Sequence, residues 1–294
     1  MISRRLFMGA AAPLWAAPQR YAPVLAVQTY VWSQHFARQK QMVRDHLEEI
    51  ISGCAEAGFR NIELTGDYFA PDAAAETIGL LKKYRLTMPV VYNGGVMHEE
   101  TEAEKMIARS IEIVERAKPC GLKALNTNPN PKPKRERKTD AELAAQARTV
   151  NRLAGEMHKR GLRLFVHQHD PEMMENAREW RYVLKNTDPK RVEFCLDTHW
   201  VYRGGQDVMT LLDECAPRLG ALHLRNSKKG VWLEELGDGD VDYRQVAAYL
   251  KQMGFRGYLV VELAYDKTTE ITRPLVDSLR LSREYVEEVF GVKA

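Results

Sequence analysis

The chain has 294 residues, of which 45% are hydrophobic and 28% are charged, a composition that supports one large core or two smaller domains. Its formal net charge of +3 depends on Arg4, Arg5 and Arg20, since 40 basic residues face 40 acidic residues without them. The rest of the chain therefore has no long-range attraction for nucleic acid. Four widely spaced cysteines without a CxxC pair indicate neither a disulfide framework nor a zinc knuckle.

The first twenty residues, MISRRLFMGAAAPLWAAPQR, resemble a twin-arginine export signal. A basic start with adjacent arginines is followed by a modestly apolar run from Leu6 to Ala17, which is too short to span a bilayer. An ordinary disordered terminus is the alternative. We expect a signal peptide at 1–20, a mature domain at 21–294, a periplasmic or otherwise exported protein, and no stable membrane association.

From Val24 onward, short β-rich runs alternate with longer segments of helical periodicity. The predicted strands are VLAVQTY from Val24, NIELTG from Asn61, MPVVYN from Met88, LKALNT from Leu122, LRLFVHQH from Leu162, VEFCLDTH from Val192, ALHLRN from Ala221 and YLVVEL from Tyr258. Amphipathic segments such as TDAELAAQARTVNRLAGEMHKRG separate them, several with an N-cap residue at the start and glycine near the end. Eight units of this kind predict a single-domain α/β protein, a closed (β/α)8 TIM barrel. A doubly wound open sheet is the alternative, but no GxGxxG turn follows the first strand.

Residues with metal-binding or acid/base capacity occur at the predicted strand ends, where barrel enzymes place their catalytic groups. Five of the eight histidines fall there. The residues at these ends are Glu63, His98, His167, His169, Asp197, His199, His223, Arg225 and Glu262. His167 and His169 are two residues apart, so both are predicted to face the barrel interior. Imidazoles and carboxylates together suit one divalent ion, Mn²⁺, Zn²⁺, Co²⁺ or Fe²⁺, better than Ca²⁺, and a metal-free ion-pair network is the alternative.

Four of these segments carry a family resemblance. VHQHDPEM, CLDTHWVYRGG, LHLRNS and VVEL, in this order at one-strand intervals, resemble the xylose-isomerase-like barrels, from Val24 to the C-terminus. That family groups sugar and sugar-phosphate isomerases, epimerases, inosose dehydratases and endonuclease IV enzymes. The resemblance implies a metal ion held at the ends of the fifth to eighth strands by His167, Asp197, His223 and Glu262.

One position departs from the epimerase pattern, because the fifth strand there usually supplies a glutamate where this chain has His167. The HxH arrangement resembles the inosose-dehydratase-like and keto-sugar-processing branch. On either pattern the resemblance implies that a base, Glu262 or His169, removes a proton next to a substrate carbonyl. Arg225 is expected to hold a substrate hydroxyl or stabilise oxyanion charge, with a surface ion pair as the alternative.

Substrate contacts are expected from four further residues. Glu63 is predicted to bind a hydroxyl or to orient a ligand histidine, and His199 to lie beside the pocket. Trp200 and Trp32 are candidates for the apolar platform under a sugar ring, although at least one of them is expected to be a buried aromatic. The basic run KPKRERK follows the fourth strand and is expected to be either a solvated, movable loop or a contact for an acidic substrate.

The expected function is therefore a metal-dependent sugar isomerase or epimerase, with β-elimination by a keto-sugar or inosose dehydratase as the alternative. An endonuclease IV-like enzyme and a non-catalytic sugar-binding barrel are less favoured. The neutral mature charge and the small ligand set argue against the nuclease, and Asp197, His223 and Glu262 argue against a loss of catalysis. The expected partner is a small sugar or keto-sugar, not nucleic acid, and self-association into a homo-oligomer stays open.

Overall fold

Eight short parallel strands close into a barrel in the computed structural model, which describes residues 20–294. The strands are β1 Val24–Gln28, β2 Asn61–Thr65, β3 Thr87–Tyr92, β4 Ala124–Thr127, β5 Arg163–Val166, β6 Val192–Asp197, β7 Leu219–Leu224 and β8 Tyr258–Val261. Each strand pairs with its sequence neighbours, and β8 pairs with β1. The predicted (β/α)8 TIM barrel is confirmed. The predicted export signal lies outside the described residues, apart from its last residue.

Each predicted β-rich run overlaps one strand, although β3 and β7 begin before their runs and several runs extend beyond their strands. The run from Val24 was predicted to reach Tyr30, yet β1 ends at Gln28 and Tyr30 begins a helix. The run through His169 ends as a strand at Val166. After β1 the chain turns into a helix, whereas the N–H of His167 still donates to the Thr127 carbonyl at 2.7 Å before the chain turns into the next helix.

Helices follow the strands and cover the outside of the barrel. The α-helices of residues 20–294 are α1 Tyr30–Arg38, α2 Leu47–Glu56, α3 Ala74–Lys83, α4 Glu100–Ala117, α5 Asp140–Lys159, α6 Asp170–Asn186, α7 Thr198–Arg203, α8 Val208–Cys215, α9 Tyr243–Met253 and α10 Leu275–Phe290. A capping box formed by Thr139 and Glu142 begins α5. Helix α6 is interrupted at residues 174–177, where three residues have positive φ. None of the described helices combines the length and the apolar character that crossing a bilayer requires.

The barrel interior consists of stacked layers. Its apolar layer is formed by Ala26, Val90, Ala124, Phe165, Cys195, Ala221 and Val260, which form one cluster with Tyr258. The absence of a side chain at Gly220 leaves space for the Phe165 ring of this layer, because a Cβ there would lie 2.3 Å from that ring. Side chains two residues apart on a strand point to the same face. The residues that follow this layer by two positions therefore form the next layer toward the open end.

That next layer is polar. Its members are Gln28, Tyr92, Asn126, His167, Asp197, His223 and Glu262. All except Tyr92 are buried. The apolar layer closes the barrel beneath them, and the loops after the strands surround them. The fold thus places one polar cluster at the bottom of a single open end.

Candidate metal-binding active site

Four side chains of the polar layer converge as a group that fits a metal ion. His167 directly follows β5, Asp197 ends β6, His223 lies in β7 and Glu262 directly follows β8. Each offers one donor atom, and these atoms all lie within 4.8 Å of one another. Nδ1 of His167 is buried and has no hydrogen-bond partner in the described part of the chain. Burial also lowers the pKa of His167 well below its usual value, which keeps the ring in its neutral, metal-binding form.

These are the four residues that the family resemblance implied as ligands, and two imidazoles with two carboxylates suit a divalent transition metal. A second donor set, His167, Cys195 and His223, also lies within the same distance. Cys195 belongs to the apolar layer, and burial raises the pKa of its thiol to about 11. Glu262, in contrast, lines the cavity above. Only the set with the carboxylates is open to a substrate.

His223 is fixed from both sides of its ring. Its Nδ1 lies 2.9 Å from Oε2 of Glu262, and its Nε2 lies 3.1 Å from Oε1 of Glu63. Glu63 is fully buried and does not line the cavity, and Asn126 donates to its Oε1 at 3.4 Å. A carboxylate behind a ligand histidine sets the orientation of the ring. Of the two predicted roles of Glu63, its position favours orienting His223 over contacting a substrate.

Arg225 is buried between two indole rings. Its guanidinium carbon lies 4.6 Å from the centre of the Trp200 ring and 4.9 Å from that of Trp232. Nη2 lies 3.0 Å from Oδ2 of Asp197, and Nη1 lies 3.4 Å from Oε2 of Glu262. A surface ion pair is therefore wrong for this arginine. Stacking and hydrogen bonding hold its positive charge at the cavity wall, beside the metal-binding carboxylates.

The two predicted proton-transfer groups both reach the cavity. Burial lowers the pKa of His169 to about 4, so its ring is neutral near neutral pH. Its Nδ1 lies 3.2 Å from the Asn128 side-chain nitrogen, which donates to it. Burial opposes ionisation of Glu262, but His223 and Arg225 outweigh it and lower the pKa of this carboxyl group. Both groups are therefore in the basic form.

The cavity above the polar layer has a volume of about 460 Å³, within the range of small-molecule sites. Its wall combines polar groups with aromatic rings. The residues that bear on function are Gln28, Thr65, Tyr92, His169, Trp200, Arg225, Trp232, Glu262 and Tyr265. Sequence reasoning missed Gln28 and Tyr92, although both follow an apolar-layer residue by two positions. It also missed Trp232, which a short hairpin at residues 227–232 carries into place through the positive-φ turn at Lys229 and Gly230.

Besides Glu63, two other predicted substrate contacts do not line the cavity. Trp32 is 2% exposed and stacks on Phe36, and a Cβ at Gly53 would lie 2.7 Å from its ring. It is a core residue between α1 and α2, so the platform role is wrong for it, whereas Trp200 does line the cavity. His199 is buried behind Arg225, which donates to its Nδ1 at 3.1 Å. It supports the arginine and does not face the cavity.

Four of the five cations in the basic run after β4 form ion pairs with acidic side chains. The pairs are Lys132 with Glu142, Arg135 with Asp170, Arg137 with Glu175 and Lys138 with Glu179. Lys138 is only 3% exposed and also donates to Gln146. These contacts attach the loop to α5 and α6. The expectation of a solvated loop is therefore wrong for Lys138. With four of its five cations already paired, the loop has only Lys134 without an ion pair among the described residues, so it is a poor contact for an acidic substrate.

Comparison with known proteins agrees with this geometry. Residues 51–285 match the family model described as the xylose isomerase-like TIM barrel. The chain belongs to this family. Its curated relatives include the inosose dehydratase of Geobacillus kaustophilus, 26% identical over 169 residues, or 51% of this chain and 54% of that protein. That of Salmonella typhimurium is 30% identical over 146 residues, 44% of this chain and 48% of that protein. The chain thus spans about half the length of the curated relatives it matches.

Solved structures share the fold across almost the whole chain. L-ribulose 3-epimerase superposes with a TM-score of 0.71 at 16% identity, covering 92% of this chain and 95% of that one. A sugar phosphate isomerase/epimerase from Parabacteroides distasonis gives a TM-score of 0.70 at 18% identity, covering 97% and 98%. The 3-keto-D-glucoside 4-epimerase of E. coli gives 0.67 at 15% identity, covering 90% and 99%. At sequence identities this low, the structural similarity establishes the barrel fold and nothing further about this chain.

Proposed function

We propose that the protein is a divalent-metal-dependent enzyme of the isomerase or epimerase type, which removes a proton next to the carbonyl of a sugar or keto-sugar. The observation that carries this proposal is the convergence of His167, Asp197, His223 and Glu262 below a small-molecule cavity. When bound there, Mn²⁺, Zn²⁺, Co²⁺ or Fe²⁺ would polarise the substrate carbonyl and stabilise negative charge on its oxygen.

The chain supplies the groups that move the proton. Glu262 and His169 are both in the basic form and both line the cavity, so either is placed to accept the proton from carbon. The group that accepts the proton becomes the acid that returns it. Arg225 is held rigidly at the wall and is suited to stabilising charge on a substrate oxygen. Trp200 and Trp232 shield this charge from water and offer apolar surface to a sugar ring.

A second candidate is β-elimination from a keto-sugar or inosose. Histidine at position 167, where the epimerase pattern has glutamate, and relatives named inosose dehydratase favour it. The proton next to the carbonyl would pass to Glu262, and its electron pair would form the new double bond. The group on the next carbon would then leave with its bonding electrons and take up the proton that Glu262 has gained, passed on directly or through His169. An endonuclease IV-like activity and a purely sugar-binding role are weaker alternatives.

The deciding experiment is elemental analysis of purified protein, followed by incubation with keto-sugars and inososes in D₂O with the metal restored. Deuterium gain without another mass change indicates isomerisation or epimerisation, whereas loss of water or of an aglycone indicates elimination. His167→Ala should lower the metal content, with His158→Ala on α5 as the matched control. Absence of stoichiometric metal that cannot be restored would contradict the catalytic proposal.

We also propose export through residues 1–20, supported by the adjacent arginines and the short apolar run. This segment fused to a reporter protein should direct it across the membrane, and replacing Arg4 and Arg5 by lysine should retain it in the cytoplasm. Sedimentation of the purified chain tests for a homo-oligomer, which stays a prediction.

A further inference from the structure

A second cavity adjoins the central one at the ends of β2, β3 and β4. Its volume is about 260 Å³, and it shares Thr65 and Tyr92 with the central cavity. Its other side chains are polar, namely Asp67, Asn93, Arg109, Asn128 and Asn130. We call this cavity the outer groove. Because both cavities are lined by Thr65 and Tyr92, an extended ligand that passes over these two residues would occupy both.

Asn128 connects the two cavities. Its Oδ1 accepts a hydrogen bond from the Tyr92 hydroxyl, and its Nδ2 lies 3.2 Å from Nδ1 of His169. Glycine at position 94 permits this arrangement, because a Cβ there would lie 2.5 Å from Oδ1 of Asn128. The floor of the outer groove is thus tied to a residue predicted to transfer protons.

Polar groups of the outer groove remain available for a ligand. Nδ2 of Asn93 donates to Ser110 at 2.8 Å, while its Oδ1 accepts no hydrogen bond from the described residues. The backbone of Asn130 is fixed by a 2.8 Å hydrogen bond to Gly95, and no described residue bonds to its side-chain amide. Amides that donate and accept on a fixed backbone are well suited to hydroxyl groups.

The charge of the outer groove is balanced. Nη2 of Arg109 lies 2.6 Å from Oδ1 of Asp67, and these are the two charged residues of its wall. A paired arginine gives little net attraction for a phosphate or a carboxylate. The groove therefore favours a neutral, polyhydroxylated group over an anionic one.

We propose that the outer groove is a second saccharide subsite, so that the substrate is a neutral glycoside with two sugar-sized parts. This inference rests on the proposed function, which places the reacting sugar in the central cavity. The second sugar then contacts Asn93, Asn130 and Arg109, while Thr65 and Tyr92 contact the junction.

Binding of simple sugars tests the proposal directly. Glucose and fructose are compared with maltose, cellobiose, trehalose and sucrose by saturation-transfer NMR and calorimetry on the metal-loaded protein. At least one disaccharide should bind about tenfold more tightly than its monosaccharide units, since several hydrogen bonds are added. Asn130→Ala and Arg109→Ala should each weaken disaccharide binding by about 2- to 10-fold and leave monosaccharide binding unchanged.

Arg152→Ala is the matched control, because Arg152 is a similarly exposed helical arginine paired with Glu104 far from this groove. Equal affinity for disaccharides and monosaccharides, equal effects of the groove variants on both, or no saccharide binding at all would overturn the subsite. Deuterium exchange separates the two proposals. If deuterium enters monosaccharides but the groove variants have no specific effect, the subsite is contradicted and the proposed function is kept. If the groove variants specifically weaken disaccharide binding but no deuterium enters any sugar, the subsite is kept and the proposed function is contradicted.

Discussion

The two halves of the barrel end carry different chemistry. Strands β5 to β8 supply titratable metal-binding groups, namely His167, Asp197, His223 and Glu262. Strands β1, β3 and β4 supply amides and a phenol at the same level, namely Gln28, Tyr92 and Asn126. Glu63 of β2 is the exception, and its carboxylate points to His223 of the other half. One half thus carries the groups that we propose to hold a metal ion and move protons, and the other carries neutral groups that we propose to orient the ligand.

The largest difference between the halves should appear in turnover. Glu262→Gln removes a base and a metal ligand, so kcat should fall by about 10²- to 10⁴-fold. Thr65→Val, in the half that orients the ligand, removes one hydroxyl and should cost no more than about tenfold. Steady-state kinetics with circular dichroism as the folding check measures both. Similar losses of kcat in the two variants would contradict the assignment of different roles to the two halves of the barrel end.

Glu63 tests whether the first half reaches the metal through His223. Glu63→Gln keeps the shape but weakens the hydrogen bond that orients the imidazole, and metal affinity should fall by about 10- to 100-fold. Competition with a chelator measures this affinity, and Glu104→Gln on the exposed face of α4 is the control. An unchanged affinity would limit Glu63 to a packing role.

Buried acids next to the site should make stability depend on pH. Burial, and secondarily Glu179, raises the pKa of Glu172 in the folded protein to about 8, from an ordinary value of 4.5. The stabilisation linked to this proton is complete below pH 4.5 and is lost as the pH rises toward 8. Glu172→Gln should therefore reduce the loss of stability between pH 5 and pH 8 by on the order of 1–3 kcal/mol. Urea unfolding at both pH values measures it, and an unchanged loss would contradict the shifted pKa.

The smallest effect is expected at Tyr92. Tyr92→Phe removes the hydroxyl that donates to Asn128, which should raise KM by about 2- to 10-fold and leave kcat nearly unchanged. Tyr84→Phe removes a hydroxyl that contacts Glu48 on the surface and serves as the control. A fall in kcat without a change in KM would show that Tyr92 acts in the chemical step, which would contradict the assignment of different roles to the two halves.

The barrel and the positions of the candidate ligands at its strand ends were predictable because both depend on local periodicity, whereas the choice of these four residues as ligands came from the family resemblance. Alternating β-rich and helical runs specify the barrel, and a two-residue spacing places His167 above Phe165 and Asp197 above Cys195. His199 shows the limit of this reasoning. The run VEFCLDTH looks continuous, but β6 ends at Asp197 and α7 begins at once, which turns His199 behind Arg225.

Contacts between distant segments were not predictable from local patterns. Trp32 follows the first strand as a pocket residue would, but the absence of a side chain at Gly53 gives its ring a place in the core. Trp232 reaches the cavity only because a hairpin carries it there. Lys138 belongs to a run of charges, and only the fold brings Glu179 and Gln146 to its amino group.

The buried thiols have a practical consequence for studying this protein. Cys54, Cys120, Cys195 and Cys215 are all free and buried. Burial raises the pKa of Cys54 to about 12 and that of Cys120 to about 11. Thiol-reactive dyes require an accessible thiolate. A single cysteine introduced on an exposed loop, such as the one that carries Arg135, would therefore take up a fluorophore selectively without removal of the native cysteines.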